Sequence, residues 1–341
     1  MRPSPAPSSE SLETGQGKAL RRERGFDPAL SEPDGFQERI TEPPRWVSDL
    51  VPEEGEEWRC LTEGLSVRLR EGRHFALVSV EAADSRRLDA TGLEERALAA
   101  YRLIARYLEQ TGARHPVRLW NLIPGILEPL GDLPHRYMAF NAGRHRAYQE
   151  WCDGSGAFPT VLAAASGVGH DGGQLIVHCL ASPSCGTPVE NPNQIPSYRY
   201  SSRYGPFPPC FARATRVLME GGRRMGLLVG GTASVRGEDS VHAGDFHAQA
   251  EQTLQNLSTL VAAAIQGTDG AEDDRSCRDP LGLFRSLRVY HPRAENRPAA
   301  MRLVQKRFPA VQEVEVLRTD LCRTELLVEI EGVADLGPAT T

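Results

Sequence analysis

The 341-residue chain has no two cysteines spaced as a C-x-x-C pair. Its seven (Cys60, Cys152, Cys179, Cys185, Cys210, Cys277 and Cys322) are scattered and odd in number, which argues against a disulfide framework or a regularly spaced structural zinc site. Surplus basic charge is also missing. Lys+Arg total 39 against 45 Asp+Glu, a formal net charge of -6, so nucleic acid is not an expected partner. No apolar run approaches the ~20 residues of a membrane-spanning helix, and Met1-Arg2-Pro3-Ser4-Pro5 leads into no secretory signal. A cytoplasmic protein with no membrane partner is expected. Gly-x-Ser-x-Gly is absent, which disfavours an α/β-hydrolase. The His-x-Asp/Glu pair usual for non-haem iron is absent too, so no metal is expected.

Residues 1–60 are rich in Pro, Ser, Glu and Arg and read as a mostly disordered tail, with a docked piece near Trp46 and Trp58. Beyond it the pattern repeats. Leu65–Arg70 and Phe75–Glu81 alternate as strands, Glu94–Glu109 has helical spacing, and Val117–Leu122, Tyr137–Trp151 and Gln174–Leu180 read as strand, helix and strand. The second half gives a strand at Met225–Val229 and a helix at Phe246–Ile265. A strand at Leu283–Tyr290, a helix at Pro298–Phe308 and strands at Glu313–Leu317 and Leu326–Val333 follow. The expected fold is therefore α/β (α+β): two domains, 61–215 and 216–335, each a mixed sheet with two helices on one face, then a loose tail at 336–341.

Gly167-Val168-Gly169-His170-Asp171-Gly172 spells a dinucleotide loop, but a strand rather than a helix follows it, so a tight inter-strand loop is the better reading. His242 and His247 flank Asp245, a sensible helix N-cap. The run from Tyr198 to Pro206, with Tyr198, Tyr200, Arg203 and Tyr204, continues to Arg213. It could line a pocket for a flat anion, since guanidinium forks grip carboxylates; an amphipathic strand and turn explains it equally well. Gly143 beside Arg144 interrupts a helical pattern, which points to a close approach. In the last strand, period two puts Leu327, Glu329, Glu331 and Val333 on one face. A carboxylate among aliphatics there could be desolvated and act as a general acid, but on pattern alone a solvent-facing side is the simpler reading.

Several blocks together resemble the chorismatases: Trp120 to Ile126, Tyr137 to Ala147 with Gly143-Arg144, Glu190-Asn191-Pro192, and Tyr204-Gly205-Pro206 with Pro209 to Thr215. Gly230 to Ser234, His242-x-Gly244-Asp245 and Thr319 to Gly332 complete the set, over about residues 65–333. The resemblance implies two fused deaminase-like (chorismate-mutase-like) domains, related to the trimeric enamine/imine deaminases, acting on chorismate as a monomer without cofactor or metal. It implies Glu329 as the catalytic acid and Arg144, Tyr198, Tyr204 and Arg213 among the substrate contacts. Hydrolytic members carry Ala at the positions of Gly231 and Cys322, whereas the 3-hydroxybenzoate-forming branch carries Gly and Cys, as here. The implied reaction is chorismate to 3-hydroxybenzoate and pyruvate, with Cys322 assisting Glu329 and Gly231 making room for substrate. A hydrolytic chorismatase giving a 3,4-dihydroxycyclohexa-1,5-diene carboxylate, or a non-catalytic module that binds small carboxylates, are the alternatives.

Overall fold

A computed structural model of the chain describes residues 38–52, 58–61, 64–152, 158–266 and 279–339. A strap comes first, a 3-10 turn at Glu38–Thr41 followed by α1 (Val47–Leu50). Strands β1 (Arg59–Cys60), β2 (Leu65–Glu71) and β3 (Ala76–Ala82) lead to α2 (Ala90–Leu108) and β4 (His115–Pro124). Helix α3 (Arg136–Trp151), β5 (Ala164–His170) and β6 (Leu175–Ser182) close a six-stranded sheet of order β1-β2-β3-β6-β4-β5. The second half opens with β7 (Thr187–Val189), β8 (Ala214–Met219) and β9 (Arg224–Ala233), then a small hairpin, β10 (Val235–Arg236) with β11 (Asp239–Ser240). After α4 (Phe246–Gln266), β12 (Phe284–His291), α5 (Arg297–Arg307), β13 (Glu313–Arg318) and β14 (Glu329–Pro338), its sheet has the order β7-β8-β9-β14-β12-β13.

The two orders are the same sequence of roles, and in each sheet one pair, β4 with β5 and β12 with β13, is parallel. Each sheet buries one face under its own helices. Leu98, Tyr101, Ile104 and Phe140 pack on Leu119, Val177 and Cys179 in the first; Leu254, Leu257 and Val261 pack on Val229, Val289 and Ile330 in the second. The helix-free faces meet. Leu122, Val168 and Ile176 touch Ala233, Tyr290 and Leu317 at one end of this seam, and Leu77, Trp120 and Leu180 touch Val217 and Leu228 at the other. Because both faces of both sheets are covered, alternation alone could not say which face looks to water.

Two expectations about boundaries change. Around Trp46, where a docked piece is expected, Ile40, Val47 and Val51 are buried, Trp46 packs on Trp120 at 5.8 Å, and Arg288 Nη1 donates to the Glu42 carbonyl. Residues 1–37 of the expected tail lie outside the described residues. The boundary at 215/216 falls inside β8, which pairs along β9, so by sheet membership the division lies between Ser182 and Thr187. The expected C-terminal tail is strand as far as Pro338, because Leu336 is buried in the helix-side core. β5, whose glycines read as a loop, is a strand; the turn comes after it.

Candidate active site

A cavity of about 240 Å3 opens where the start of β14 and the end of β9 meet the start of α3 and the 200–213 segment. Glu329 is on its wall, only 4% exposed, with Glu331 behind it at 2%. The face shared by Glu329, Glu331 and Val333 looks into the seam between the sheets, not into solvent. Leu327, expected on the same face, precedes the strand and packs under α4.

A bulge gives Glu329 its room. Ile330 pairs with Thr232 and Gly332 with Val229, so Gly230 and Gly231 together stand opposite Glu331. A methyl carbon on Gly231 would lie 2.7 Å from the Glu329 carboxyl carbon, and the same spot is 3.2 Å from Ser166 Oγ. Any larger residue there must displace the Glu329 carboxyl. Gly230 is equally constrained: its N–H donates to the Arg213 carbonyl at 2.8 Å, and a side chain would press on the Ala165 carbonyl of the other sheet.

Burial, reinforced by the nearby Glu331 charge, pushes Glu329 up to about 8; Arg118, Arg213 and Arg323 pull the other way without overcoming it. Glu329 is therefore mainly a carboxylic acid at neutral pH, a proton donor in waiting. Cys322 stands beside it on the wall. Burial and then Glu329 push its thiol up to about 12, so it is a neutral S–H rather than a thiolate nucleophile.

Two guanidinium groups face the acid. Arg213 Nη2 donates to Tyr200 Oη at 2.5 Å and to the Ile195 carbonyl at 3.1 Å. Arg323 Nη1 donates to the Glu238 carbonyl at 2.8 Å and to Ser240 Oγ at 3.0 Å, with its guanidinium 4.1 Å from the Tyr204 ring. The Tyr200 and Tyr204 rings lie 5.2 Å apart, so cations and aromatics alternate from the rim at Arg203 inward to Arg213. Such a ladder is suited to a small, flat molecule with more than one carboxylate.

Helix α4 holds the rear wall. Gln249 Nε2 donates to the Glu325 and His242 carbonyls, and its Oε1 accepts from Leu327 N–H at 2.8 Å; Asn256 Nδ2 donates to the Ala233 and Val235 carbonyls. These buried amides satisfy backbone groups around Glu325–Leu327, ahead of β14, and at Ala233 and Val235, where β9 gives way to β10.

Of the residues expected at the site, Glu329, Cys322, Tyr204, Arg213 and Gly231 line this cavity, while Arg144 and Tyr198 do not. Arg144 is fully buried behind the wall. It donates to Asn141 Oδ1 at 2.8 Å, and its guanidinium lies 5.2 Å from the Phe140 ring and 5.8 Å from the ring of Phe211, which lines the cavity. Tyr198 packs against the first core and the Arg199 guanidinium. Gly143 has its close neighbour in the protein: a side chain there would press on Ala97 and Leu98 of α2. Tyr137, Met138, Tyr200, Phe211 and Arg323 line the cavity but were not singled out. All five sat inside runs already quoted, but nothing in those runs marked Tyr137, Met138 or Phe211 as facing a cavity rather than the core. Asp245 caps α4 by accepting from Ala248 N–H at 3.0 Å. His170 ends β5 and no helix follows the Gly167–Gly172 run.

Residues 56–181 match the family model for the N-terminal region of FkbO/Hyg5-like chorismatases. A 3-hydroxybenzoate synthase of Streptomyces hygroscopicus is 32% identical over 291 residues, 84% of this chain and 80% of that one. A chorismatase of Streptomyces rapamycinicus is 36% identical over 217 residues, 63% of each chain. A chorismatase crystal structure superposes with a TM-score of 0.68 at 28% identity, covering 82% of this chain and 80% of that one. With similarity in sequence and fold extending over four fifths of such relatives, this chain belongs to the chorismatase family.

Proposed function

We propose that the chain converts chorismate to 3-hydroxybenzoate and pyruvate, with Glu329 as the acid. The observation that carries this reading is the buried Glu329 carboxyl, set into space that only glycine at 231 leaves open and sharing the cavity with Arg213 and Arg323; that burial favours its protonated form. The two guanidinium groups suit a substrate with two carboxylates, one on the ring and one on the enolpyruvyl arm. The relative from Streptomyces hygroscopicus is named for this product.

Glu329 gives its proton to the terminal methylene of the enol ether, leaving an oxocarbenium carbon. The neighbouring ring hydroxyl then attacks the ring carbon that bears the ether, the C–O bond breaks and pyruvate departs. The hydroxyl proton is lost to the Glu329 carboxylate, which Arg118, Arg213 and Arg323 stabilise. The resulting arene oxide opens and rearomatises to the phenol. No water is consumed, since chorismate equals 3-hydroxybenzoate plus pyruvate. Cys322, a neutral thiol beside Glu329, is the adjacent donor that steadies the ring oxygen. In the hydrolytic course water would attack the oxocarbenium carbon instead, and an alanine at 231 would first have to move the acid.

The deciding test is a lactate dehydrogenase-coupled pyruvate assay on chorismate, with chromatography and mass of the ring product. Pyruvate together with 3-hydroxybenzoate is expected. A diene heavier by one water supports hydrolysis instead, and chorismate binding without pyruvate release overturns enzymatic action.

A further inference from the structure

Behind Glu329 lies a second carboxylate with no place in the reaction just described. Glu331 is 2% exposed and is gripped from the opposite sheet: Arg118 Nη2 donates to it at 2.7 Å, Trp120 Nε1 at 2.8 Å, and Ser166 Oγ also donates to it. Arg118 Nη2 donates to Ser166 Oγ at 2.6 Å as well, closing a triangle. Glu331 is on β14 of the second half, whereas Arg118 and Trp120 on β4 and Ser166 on β5 belong to the first. A fixed buried ion pair of this kind is weak evidence for stability, because its desolvation offsets much of the attraction.

We propose that Glu331, clamped by Arg118, Trp120 and Ser166, is a positioning residue that keeps Glu329 loaded with its proton, so that the acid is complete only where the two sheets meet. The proposal rests on Glu329 being the acid. Two residues apart on one strand, both side chains enter the seam, and Ser166 Oγ lies beside the pocket that holds the Glu329 carboxyl. Around Glu329 the charged and titratable groups are Glu331 on its own strand, Tyr290 opposite it on β12, Arg118 from β4, Tyr137 from α3, Arg213 ahead of β8, and Cys322, Arg323 and Glu325 ahead of β14, with Tyr200, Arg203 and Tyr204 further along the cavity. Of the two other carboxylates, Glu331 is the one that bears most on Glu329, more than Arg118 does. Holding a negative charge there by three donors disfavours a second one on Glu329.

The test follows the protonated-carboxyl infrared band of the full chain against pH, assigned to Glu329 by its loss in Glu329→Gln, together with the pH profile of pyruvate release. In Glu331→Gln the band midpoint is expected to fall by about one unit or more, with turnover above pH 8 dropping about tenfold and turnover near pH 6 much less affected. Glu331→Asp, which keeps the charge, restores the wild-type profile. Should Glu331→Gln fail to fold, Arg118→Met combined with Glu331→Gln leaves no unpaired buried charge and moves the midpoint the same way by less. An unchanged midpoint in the folded variant overturns the proposal and shows the clamp to be structural only. Full turnover in Glu329→Gln would overturn the assignment of the acid instead, so the two failures are distinguishable.

Discussion

Strands β6 and β14 hold the same place in their sheets and have opposite chemistry. Ile176 lies opposite Leu122, two residues before Pro124; Glu329 lies opposite Tyr290, two residues before Pro292. Two residues further along, His178 faces Trp120 where Glu331 faces Arg288. Ile176 is buried in apolar contact with its neighbours, and His178, pushed down to about 4 by burial, is neutral and bonds Ser79 and the Thr41 carbonyl of the strap. The first sheet therefore passes no acid into the seam at this point, while the second passes two. The repeat supplies a scaffold twice, and only one copy sends carboxyl groups into the seam at this place.

Exchanging the chemistry should break this comparison most severely. In Ile176→Glu an acid enters the apolar cluster of Leu122, Val168 and Leu317, and urea unfolding at pH 7 is expected to show a loss of about 3 to 5 kcal/mol, smaller near pH 4. Next comes Glu329→Gln. Pyruvate release should fall by roughly a hundredfold or more. The same variant should melt higher than the wild type at pH 9. A carboxyl whose pKa is raised on folding contributes stability that is present at low pH and lost as pH rises from the ordinary carboxylate range through about 8, and glutamine escapes that loss. The gap should close at pH 4; a wild type that is the more stable at pH 9 would count against the buried acid.

A milder effect separates the helices. Where α2 presents Leu98, Tyr101 and Ile104 to its sheet, α4 also buries Gln249, Gln252 and Asn256. Gln249→Leu removes three hydrogen bonds and strands two carbonyls and an N–H, an expected cost of about 2 kcal/mol by denaturant titration, with kcat falling because the wall beside Glu329 loosens. The smallest change is expected from Cys322→Ala, in which total pyruvate release stays within a few-fold while the ring product shifts toward the diene; an unaltered product ratio would remove the thiol from the aromatising step.

Much of this was legible before any coordinates. The spacings at 94–109 and 246–265, and the strands around 65–81 and 284–290, reproduce the elements because each has one helix-facing apolar side. β5 was not legible: Gly167 and Gly169 weaken a strand signal, and its pairing with β4 is set by tertiary contacts. The place of Arg144 behind the aromatic rings of Phe140 and Phe211 was not legible either, because an arginine in a helical pattern gives no sign of which neighbours the far half of the chain will bring to it.

Residue order by itself determined the doubled α/β pattern, the Gly230-Gly231 pair, and the presence of Glu329, Glu331, Cys322 and the arginines, since these are local and chemical facts. Which strand face would be dry, which arginines would reach the cavity, and which carboxyl would keep its proton were decided only when the sheets closed on each other. Desolvation and through-space charge depend on what the far half of the chain brings near, and no local pattern carries that distance.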